Sequence, residues 1–445
     1  MGTSLNSNDL ERFIATLNNA NQAFASRQTS TGTTRLPIHT LYGGAHLFRK
    51  GVVAKLAQLA QDHFTSFAPN AEAFANALQI DDLTIMKAVY ERVLLKLQTE
   101  AIEDQRIDFE DGYGVRSDEE EDGHAIRAAR ALAEGVNQGL LPPFIGIRIK
   151  ALSDEAKHRA IRTLDLFLTT YAETGLPLPQ PFYVTLPKVT STEQVAVLVD
   201  CIELMEERCG FPSGSIKIEL MIETIQSLIT PSGNIAIPAL IDRGRGRVTS
   251  AILGTFDYTA SCNIASHYQD HRHPSADFAR QIMQVSLAGT PVNPCDGITN
   301  IMPTPVHRGA NLTTEQVSEN QCVVHEAWRI HFTNISHSLK LGFYQGWDLN
   351  PAQVPIRYAG SYYFFLQGLS DAKARLKKFI DQATQASMVG NTFDDAASAQ
   401  GLLNFFVNGM NCGAFTEEAV LQTGLTREEL HGRSFQQIVK NRTKF

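Results

Sequence analysis

The chain has 445 residues and a formal net charge of -8, and hydrophobic and charged residues make up 43% and 19% of it. This length suits one large α/β domain with helical additions, and the composition is ordinary for a globular protein. The acidic balance argues against nucleic acid and against an anionic membrane surface as partners.

The N-terminus and the cysteines bear on the compartment. The first residues are polar, without the apolar run of a signal peptide, and no segment approaches the roughly 18 apolar residues of a membrane span. The six cysteines are scattered and form no CxxC pair, which is typical of a reducing compartment. We therefore expect a cytoplasmic protein.

In chain order, the sequence predicts three parts. Residues 1–34 predict an amphipathic helix and a Ser/Thr/Gly linker, Gln28–Thr34. Residues 35–370 alternate short apolar or β-branched runs with longer helical patterns, and residues 371–445 predict a C-terminal helical appendage. The predicted strands are Leu36–Tyr42, Gln105–Phe109, Phe144–Lys150, Phe182–Lys188, Ile216–Ile222, Thr249–Thr255, Ile298–Met302 and Leu341–Leu349.

Helical patterns lie between these runs, and the order of the elements predicts the fold class. The clearest helical patterns are Phe48–His63, Asp118–Gln138, Asp154–Thr174, Thr192–Arg208, Ala276–Leu287 and Thr314–Leu341. Alternating strands and helices favour a parallel sheet. Eight such units without a glycine-rich dinucleotide turn favour a closed (β/α)8 TIM barrel over an open doubly wound sheet. In such barrels, functional sites form at the carboxyl ends of the strands.

Charged residues stand at five of these strand ends, where burial is costly unless the charge is paired or bound to a ligand. They are Glu110 and Asp111 after the second run, Arg148 in the third, Lys188 in the fourth, Glu223 after the fifth and Asp257 after the sixth. Glu223 and Asp257 supply oxygen ligands from adjacent strands, which suits Mg²⁺, with Mn²⁺ as an alternative. Such an ion could chelate a 2-oxo acid and stabilise an enolate as a Lewis acid, with Arg148 donating to the oxyanion.

The second run leads into Asp108, Glu110 and Asp111, three acids within four residues. At most two of them can share one face of a strand, so we expect one to point away. We assign Glu110 and Asp111 to the site, and the acids after Ser117 to capping of the next helix. His46 follows Gly43 and Gly44 at the end of the first run, where the glycines allow the backbone to approach a ligand closely; pocket and non-pocket roles stay open for it.

A rival site is a cluster of three histidines, His267, His271 and His273. His267 and His271 could share one helical face as zinc ligands, which would suit a hydrolase. A loop that lines the substrate pocket, or a solvent-exposed loop, explains the same residues.

The strand-end residues also carry a family resemblance, which covers residues 36 to 360. The sequence resembles the malate synthase and citrate lyase β-subunit-like group, which includes the HpcH/HpaI-type aldolases. The matching segments, in the group's order, are Asp108-Phe109-Glu110-Asp111, Gly146-Ile147-Arg148-Ile149-Lys150, Leu186-Pro187-Lys188-Val189, Met221-Ile222-Glu223-Thr224, Gly254-Thr255-Phe256-Asp257-Tyr258 and Gly346-Trp347-Asp348-Leu349-Asn350-Pro351-Ala352-Gln353.

This resemblance implies metal binding by Glu223 and Asp257, and a catalytic arginine at Arg148. It implies a carbon–carbon lyase or aldolase that acts on a 2-oxo or 2-hydroxy acid. Asn350 stands where the late motif has histidine, and residues 409–415 lack the acid that many relatives place in the C-terminal region. It therefore stays open whether the substrate is a coenzyme A thioester, which group is the general base, whether the chain forms a homo-oligomer, and whether it is a non-catalytic barrel that binds a metabolite.

Overall fold

Eight parallel strands, β1 to β8, close into a barrel in which each strand pairs with its sequence neighbours and β1 pairs with β8. The predicted (β/α)8 fold is confirmed. This computed structural model describes residues 4–27, 35–381, 387–389, 392–394, 396–432 and 434–442. The barrel strands are β1 His39–Gly44, β2 Asp104–Asp108, β3 Phe144–Arg148, β4 Phe182–Leu186, β5 Ile216–Ile222, β6 Val248–Leu253, β7 Asn293–Asp296 and β8 Gln345–Asp348.

Helices surround the barrel and continue beyond it, and a small antiparallel pair, β9 Ser387–Val389 and β10 Thr392–Asp394, lies near the C-terminus. The helices are α1 Ser7–Arg27, α2 Val52–Phe67, α3 Ala71–Leu78, α4 Leu83–Glu100, α5 Asp118–Gln138, α6 Lys157–Ala172, α7 Thr192–Cys209, α8 Ile225–Leu228, α9 Ile237–Arg243, α10 Thr255–Ser261, α11 Pro274–Leu287, α12 Thr314–Lys340, α13 Val354–Asp381, α14 Ala396–Asn411, α15 Glu417–Leu421, α16 Arg427–Gly432 and α17 Phe435–Arg442. Among the described helices, none has both the length and the apolar composition that crossing a membrane requires.

The division into three parts stays a prediction. The predicted linker Gln28–Thr34 lies outside the described residues. Helix α13 runs without a break across the predicted boundary between residues 370 and 371.

The seventh strand is the one whose predicted position is wrong. The chain forms β7 at Asn293–Asp296, whereas Ile298–Met302 has no regular secondary structure. Asn293-Pro294-Cys295-Asp296 has little intrinsic preference for a strand. Pairing with β6 on one side and β8 on the other places it in the barrel, and the buried Cys295 side chain packs in the interior.

The strands present alternate side chains to two different environments. On β5, Ile218 and Leu220 pack outwards in the apolar layer beneath the helices. Met221 belongs instead to a small interior cluster that includes Tyr42 and Trp347. Outward burial therefore stabilises the barrel within its ring of helices, whereas the inward positions hold this small apolar cluster together with polar side chains such as Glu219.

The middle of the barrel interior holds a buried ion pair rather than branched apolar side chains. Arg106 donates to both oxygens of Glu219, at 3.1 Å each, and also pairs with Asp104. The hydroxyls of Tyr42 and Thr185 donate to Glu219 as well, at 3.1 and 2.7 Å. This Arg106–Glu219 layer fills the barrel between its two ends.

Helix α14 and the residues directly after it lie near the amino ends of the strands. Arg92 of α4 donates to the carbonyl oxygen of Ala414 at 3.1 Å. Asn408 of α14 lines a cavity together with Phe144 and Lys217, which lie at the starts of β3 and β5. Residues 408–415 of this chain therefore lie at the end of the barrel opposite to the carboxyl ends of the strands.

Candidate active site

Arg148, the last residue of β3, is held rigidly at the carboxyl end of the barrel. Its Nε and Nη2 donate to the two oxygens of Asp108 on the adjacent β2, at 2.7 and 2.6 Å. The guanidinium also lies 4.9 Å from the Tyr42 ring and 5.4 Å from the Trp347 ring. Although burial opposes its charge, the neighbouring Asp108 keeps the pKa of Arg148 well above its usual value. Arg148 is therefore a fixed cation.

Asp108 holds the loop after β2 in place, in addition to holding Arg148. Its oxygens accept the backbone N–H groups of Glu110 and Gly112, at 2.9 and 2.7 Å. A Cβ at Gly112 would lie 2.5 Å from Asp108 Oδ2, and a Cβ at Gly44 would lie 2.4 Å from the Gly112 carbonyl oxygen. Gly44 thus permits the close approach of the loop after β2, and the expected approach of a ligand to Gly43 and Gly44 stays a prediction, since both line the cavity described below.

All three acids of this segment lie near Arg148, so the expectation that one points away is wrong. Strand β2 ends at Asp108, and the alternation of a strand no longer applies after it. Nη1 of Arg148 lies 3.2 Å from Glu110 Oε2 and 3.8 Å from Asp111 Oδ2. Phe109 instead takes the buried outward position. Asp108, which opens the acidic motif, is a further site residue that the strand-end pattern did not predict.

Lys188, two residues after β4, is placed by an unusual backbone conformation. Its φ of 50° lies in the left-handed region, which is uncommon for lysine and is found at functional sites. In this conformation, its backbone N–H donates to Glu223 Oε1 at 2.6 Å. Its ammonium pairs with Glu110 and lies 3.3 Å from Asp111 Oδ2 and 4.0 Å from Asp257 Oδ1. Lys188 therefore connects all four predicted site carboxylates.

Glu223 is buried directly after β5, with its side chain against Gly254. A Cβ at Gly254 would lie 2.4 Å from Glu223 Oε2, so only glycine leaves room for this carboxylate. Oε2 is buried and has no hydrogen-bond partner, whereas Oε1 accepts from Lys188. Burial raises the pKa of Glu223 to about 7, against the opposing effect of the Lys188 ammonium.

Asp257 lies in the first turn of α10, close to Glu223 and more exposed, with 46% of its side chain accessible. Burial raises its pKa despite the Lys188 ammonium, and the charge of Asp257 in turn raises the pKa of Glu223. Burial and its hydrogen bond with Asp111 likewise raise the pKa of Glu110. Negative charge is thus in excess at this end of the barrel, a condition that a bound cation would relieve.

Part of this site lines a cavity of about 460 Å³ at the carboxyl ends of the strands, whereas Glu110, Lys188 and Glu223 are not among the lining residues. Its lining includes Arg148, Asp111 and Asp257, with the rings of Tyr42 and Trp347. Trp347 Nε1 and the Thr255 hydroxyl are buried without a hydrogen-bond partner. The cavity therefore offers unpaired polar groups beside a fixed cation, as a site for a small polar ligand requires.

His46 does not line this cavity. It lies in a short 3-10 helix after β1, and its ring packs against Tyr113 at 5.7 Å and His124 at 6.3 Å. Burial lowers its pKa.

The three histidines of the rival site have separate partners. His271 is buried and contacts the Ile298 carbonyl oxygen and the Ser338 hydroxyl, each at 3.1 Å. His273 caps helix α11, where its Nδ1 accepts the backbone N–H of Ser275. His267 packs against the ring of Tyr268. They do not converge as zinc ligands.

The described residues fit a magnesium ion better than zinc. They contain no group of three or more histidine, cysteine, aspartate or glutamate side chains arranged to hold a metal. The pair Glu223 and Asp257 offers two carboxylates, one with a buried oxygen that lacks a partner. One or two carboxylates, with the remaining ligands from water and substrate, is the usual protein environment of Mg²⁺.

The closed barrel, with charged residues gathered at the carboxyl ends of its strands, defines a TIM-barrel protein with a candidate site at the usual end of the barrel. A citrate lyase of Burkholderia xenovorans LB400 has a similar structure, with a TM-score of 0.56 and 16% identity over 87% of this chain and 96% of that one. This likeness confirms the predicted resemblance at the level of the fold. The chain belongs to the family described as domain of unknown function DUF6986, which it matches over residues 17–438.

Two further solved structures are similar over most of their length. CitE of Mycobacterium tuberculosis, in complex with magnesium, acetoacetate and coenzyme A, has a TM-score of 0.46 and 14% identity over 88% of this chain and 98% of that one. A Haloferax volcanii malate synthase has a TM-score of 0.45 and 11% identity over 92% and 99%. No curated protein matches the sequence.

Proposed function

We propose that the protein is a Mg²⁺-dependent carbon–carbon lyase of the aldolase type, acting on a 2-oxo or 2-hydroxy acid. The observation that carries the proposal is the unpartnered, buried Oε2 of Glu223, beside Asp257 and within the same charge cluster as Arg148. Glu223 and Asp257 would hold the ion. When bound, Mg²⁺ would supply Lewis acidity toward a carbonyl oxygen.

Arg148 would stabilise the negative charge that develops on the substrate oxygen when the bond beside the carbonyl breaks. Because Asp108 fixes two of its nitrogens, the guanidinium needs little reorganisation during the reaction. Trp347 Nε1 is a further unpaired donor in the cavity wall. A small acid with an oxo or hydroxy group beside its carboxylate matches these donors.

Lys188 would position the acids around the substrate. Its ammonium pairs with Glu110 and approaches Asp111, which lines the cavity, so both carboxylates are held where they could orient water or a substrate hydroxyl. The ring of His46 packs against Tyr113 and His124 and contacts none of the residues proposed to act, so we assign it no step. We leave the general base unassigned.

The first test measures Mg²⁺-dependent deuterium exchange into pyruvate and decarboxylation of oxaloacetate. We expect Glu223→Gln and Asp257→Asn each to lower both rates at least 100-fold, because each removes a charged ligand. Asp270→Asn, an exposed acid in the following loop, is the control and should behave like the parent. Full activity of the Glu223 and Asp257 variants would refute the assignment.

A second measurement separates catalysis from simple binding. Calorimetric titration with Mg²⁺ should show one site in the parent and weaker binding in both variants. Parallel assays with free oxo acids and with their coenzyme A thioesters would identify the substrate class. Binding of Mg²⁺ without turnover of either set would favour a non-catalytic, metabolite-binding barrel.

A further inference from the structure

A second, larger cavity opens at the amino ends of the strands, at the end of the barrel away from Arg148. Its volume is about 710 Å³, within the range of small-molecule sites. Phe144, Tyr183 and Lys217 contribute to it from the starts of three adjacent strands. The Arg106–Glu219 layer fills the barrel above it, and the Arg106 guanidinium stacks on the Tyr183 ring at 4.5 Å. The two cavities are therefore separate.

Two cationic side chains line this cavity, which we call the lower cavity, and only one of them is paired with carboxylates. Arg35 is neutralised by Glu100 and Glu103, which it contacts at 2.5 and 2.9 Å. Lys217 has no carboxylate within 4.0 Å in the described part of the chain. On a barrel strand, this lysine points the same way as Glu219, two residues on, and so into the mouth of the barrel. The cavity thus holds an uncompensated ammonium.

Two hydroxyls beside this lysine also lack partners among the described residues. Thr249 Oγ1 is buried and makes no hydrogen bond. The phenol of Tyr183 lines the same cavity, and burial raises its pKa, so it stays protonated and able to donate. A buried polar atom without a partner costs free energy that a bound ligand can recover. The remaining wall is largely apolar, with the side chains of Phe144 and Leu287.

We propose that this lower cavity binds a small organic anion with an apolar ring or branched body. The acidic group would pair with the Lys217 ammonium and accept hydrogen bonds from Thr249 and Tyr183, and the apolar body would lie against Phe144. An ammonium with two hydroxyl donors recognises an anion. A bare inorganic ion would leave the apolar wall without a contact, so an organic anion fits the cavity better.

The test uses two fluorescent molecules of similar shape on the full-length protein. 8-Anilinonaphthalene-1-sulfonate carries the anion, and N-phenyl-1-naphthylamine lacks it. We expect the sulfonate to bind at least tenfold more tightly than the amine. Lys217→Met should abolish that preference and Thr249→Val should weaken sulfonate binding several-fold. Lys340→Met, at an exposed lysine on α12, should leave it unchanged.

Three results would overturn the proposal. The first is equal affinity of the parent for the two molecules, and the second is unchanged sulfonate binding in Lys217→Met. The third is displacement of the sulfonate by Mg²⁺ with oxaloacetate. That result would place the sulfonate in the cavity beside Arg148, which we call the upper cavity. Thermal unfolding of each variant checks that it is folded, and Thr249→Val decides the matter if Lys217→Met does not fold.

Discussion

Asp108 is the residue on which the geometry of the upper cavity depends. It holds Arg148 through two hydrogen bonds and the following loop through two more. Its carboxylate and the guanidinium are both buried, so neither charge has water as an alternative partner. Loss of one charge would leave the other uncompensated.

We predict that Asp108→Asn lowers the free energy of unfolding by about 3 kcal/mol, the cost of a broken buried ion pair. It should also reduce the proposed exchange activity at least tenfold, because Arg148 loses its fixed orientation. Urea unfolding and the pyruvate exchange assay measure the two effects. Asp154→Asn, in an exposed ion pair with Lys157, is the control and should change little. A parent-like Asp108→Asn would mean that the pair does not position Arg148.

A substitution at Gly254 tests the proposed metal site through a steric clash, without a change of charge. We predict that Gly254→Ala weakens Mg²⁺ binding at least tenfold, because the new Cβ would lie 2.4 Å from Glu223 Oε2 and displace the carboxylate. Calorimetry with Mg²⁺ measures this. Gly401→Ala, where an added Cβ meets nothing within 4 Å, is the matched control. Unchanged Mg²⁺ affinity in Gly254→Ala would argue against Glu223 as a ligand.

The charged residues at the strand ends could be predicted from the sequence, but the residues that they contact could not. Glu223 and Arg148 stand out because a charge closes an apolar run, and that signal is local. The ion pair of Asp108 with Arg148 joins residues 40 positions apart, and the left-handed backbone of Lys188 follows from no residue preference. Both depend on the register of β2 to β5, which the sequence does not encode locally.

At the scale of elements, helix α5 shows how much a local signal can specify. The predicted range Asp118–Gln138 is the observed range, since Ser117 caps one end and Gly139, at φ 63°, ends the other. Strand β7 is the opposite case, since its neighbours in the barrel place a polar, proline-bearing segment that has no strand signal of its own. Local capping chemistry is readable from sequence, and pairing between distant strands is not.

The cap of α5 gives a prediction at this scale. Ser117 Oγ accepts the backbone N–H of Glu120 at 3.2 Å. We expect Ser117→Ala to lower the free energy of unfolding by about 1 kcal/mol, and Ser117→Asp to preserve it, because an aspartate oxygen can accept the same bond. Urea unfolding of both variants checks this. Equal destabilisation by Ala and Asp would show that the hydroxyl is not acting as a cap.

At the scale of the whole molecule, the barrel closes where β1 meets β8, and His39 lies in that seam. Its Nε2 accepts the backbone N–H of Glu103 at 2.9 Å, and its Nδ1 lies 3.8 Å from Asp348 Oδ2. Asp348 is itself paired with Arg357, at 2.7 Å. Burial lowers the pKa of His39 to about 4, although the charge of Asp348 acts in the opposite direction.

A neutral, buried His39 makes the closed barrel sensitive to acid. In the unfolded chain this histidine binds a proton near pH 6.5, whereas in the folded chain it does so only near pH 4. Between these values the unfolded state holds more protons, so the stabilisation is complete above pH 6.5 and is lost as the pH falls toward 4. We expect His39 to account for about 1–2 kcal/mol of the stability lost between pH 7 and pH 5.

Comparison of the parent with His39→Gln isolates this contribution from those of other buried histidines. The glutamine carbonyl oxygen can accept the Glu103 N–H but does not titrate, so the variant should lose less free energy of unfolding between pH 7 and pH 5 than the parent does. Urea unfolding at the two pH values gives the difference. If both proteins lost the same amount, protonation of His39 would not be part of the acid response, and the β1–β8 seam would owe its acid sensitivity to other groups.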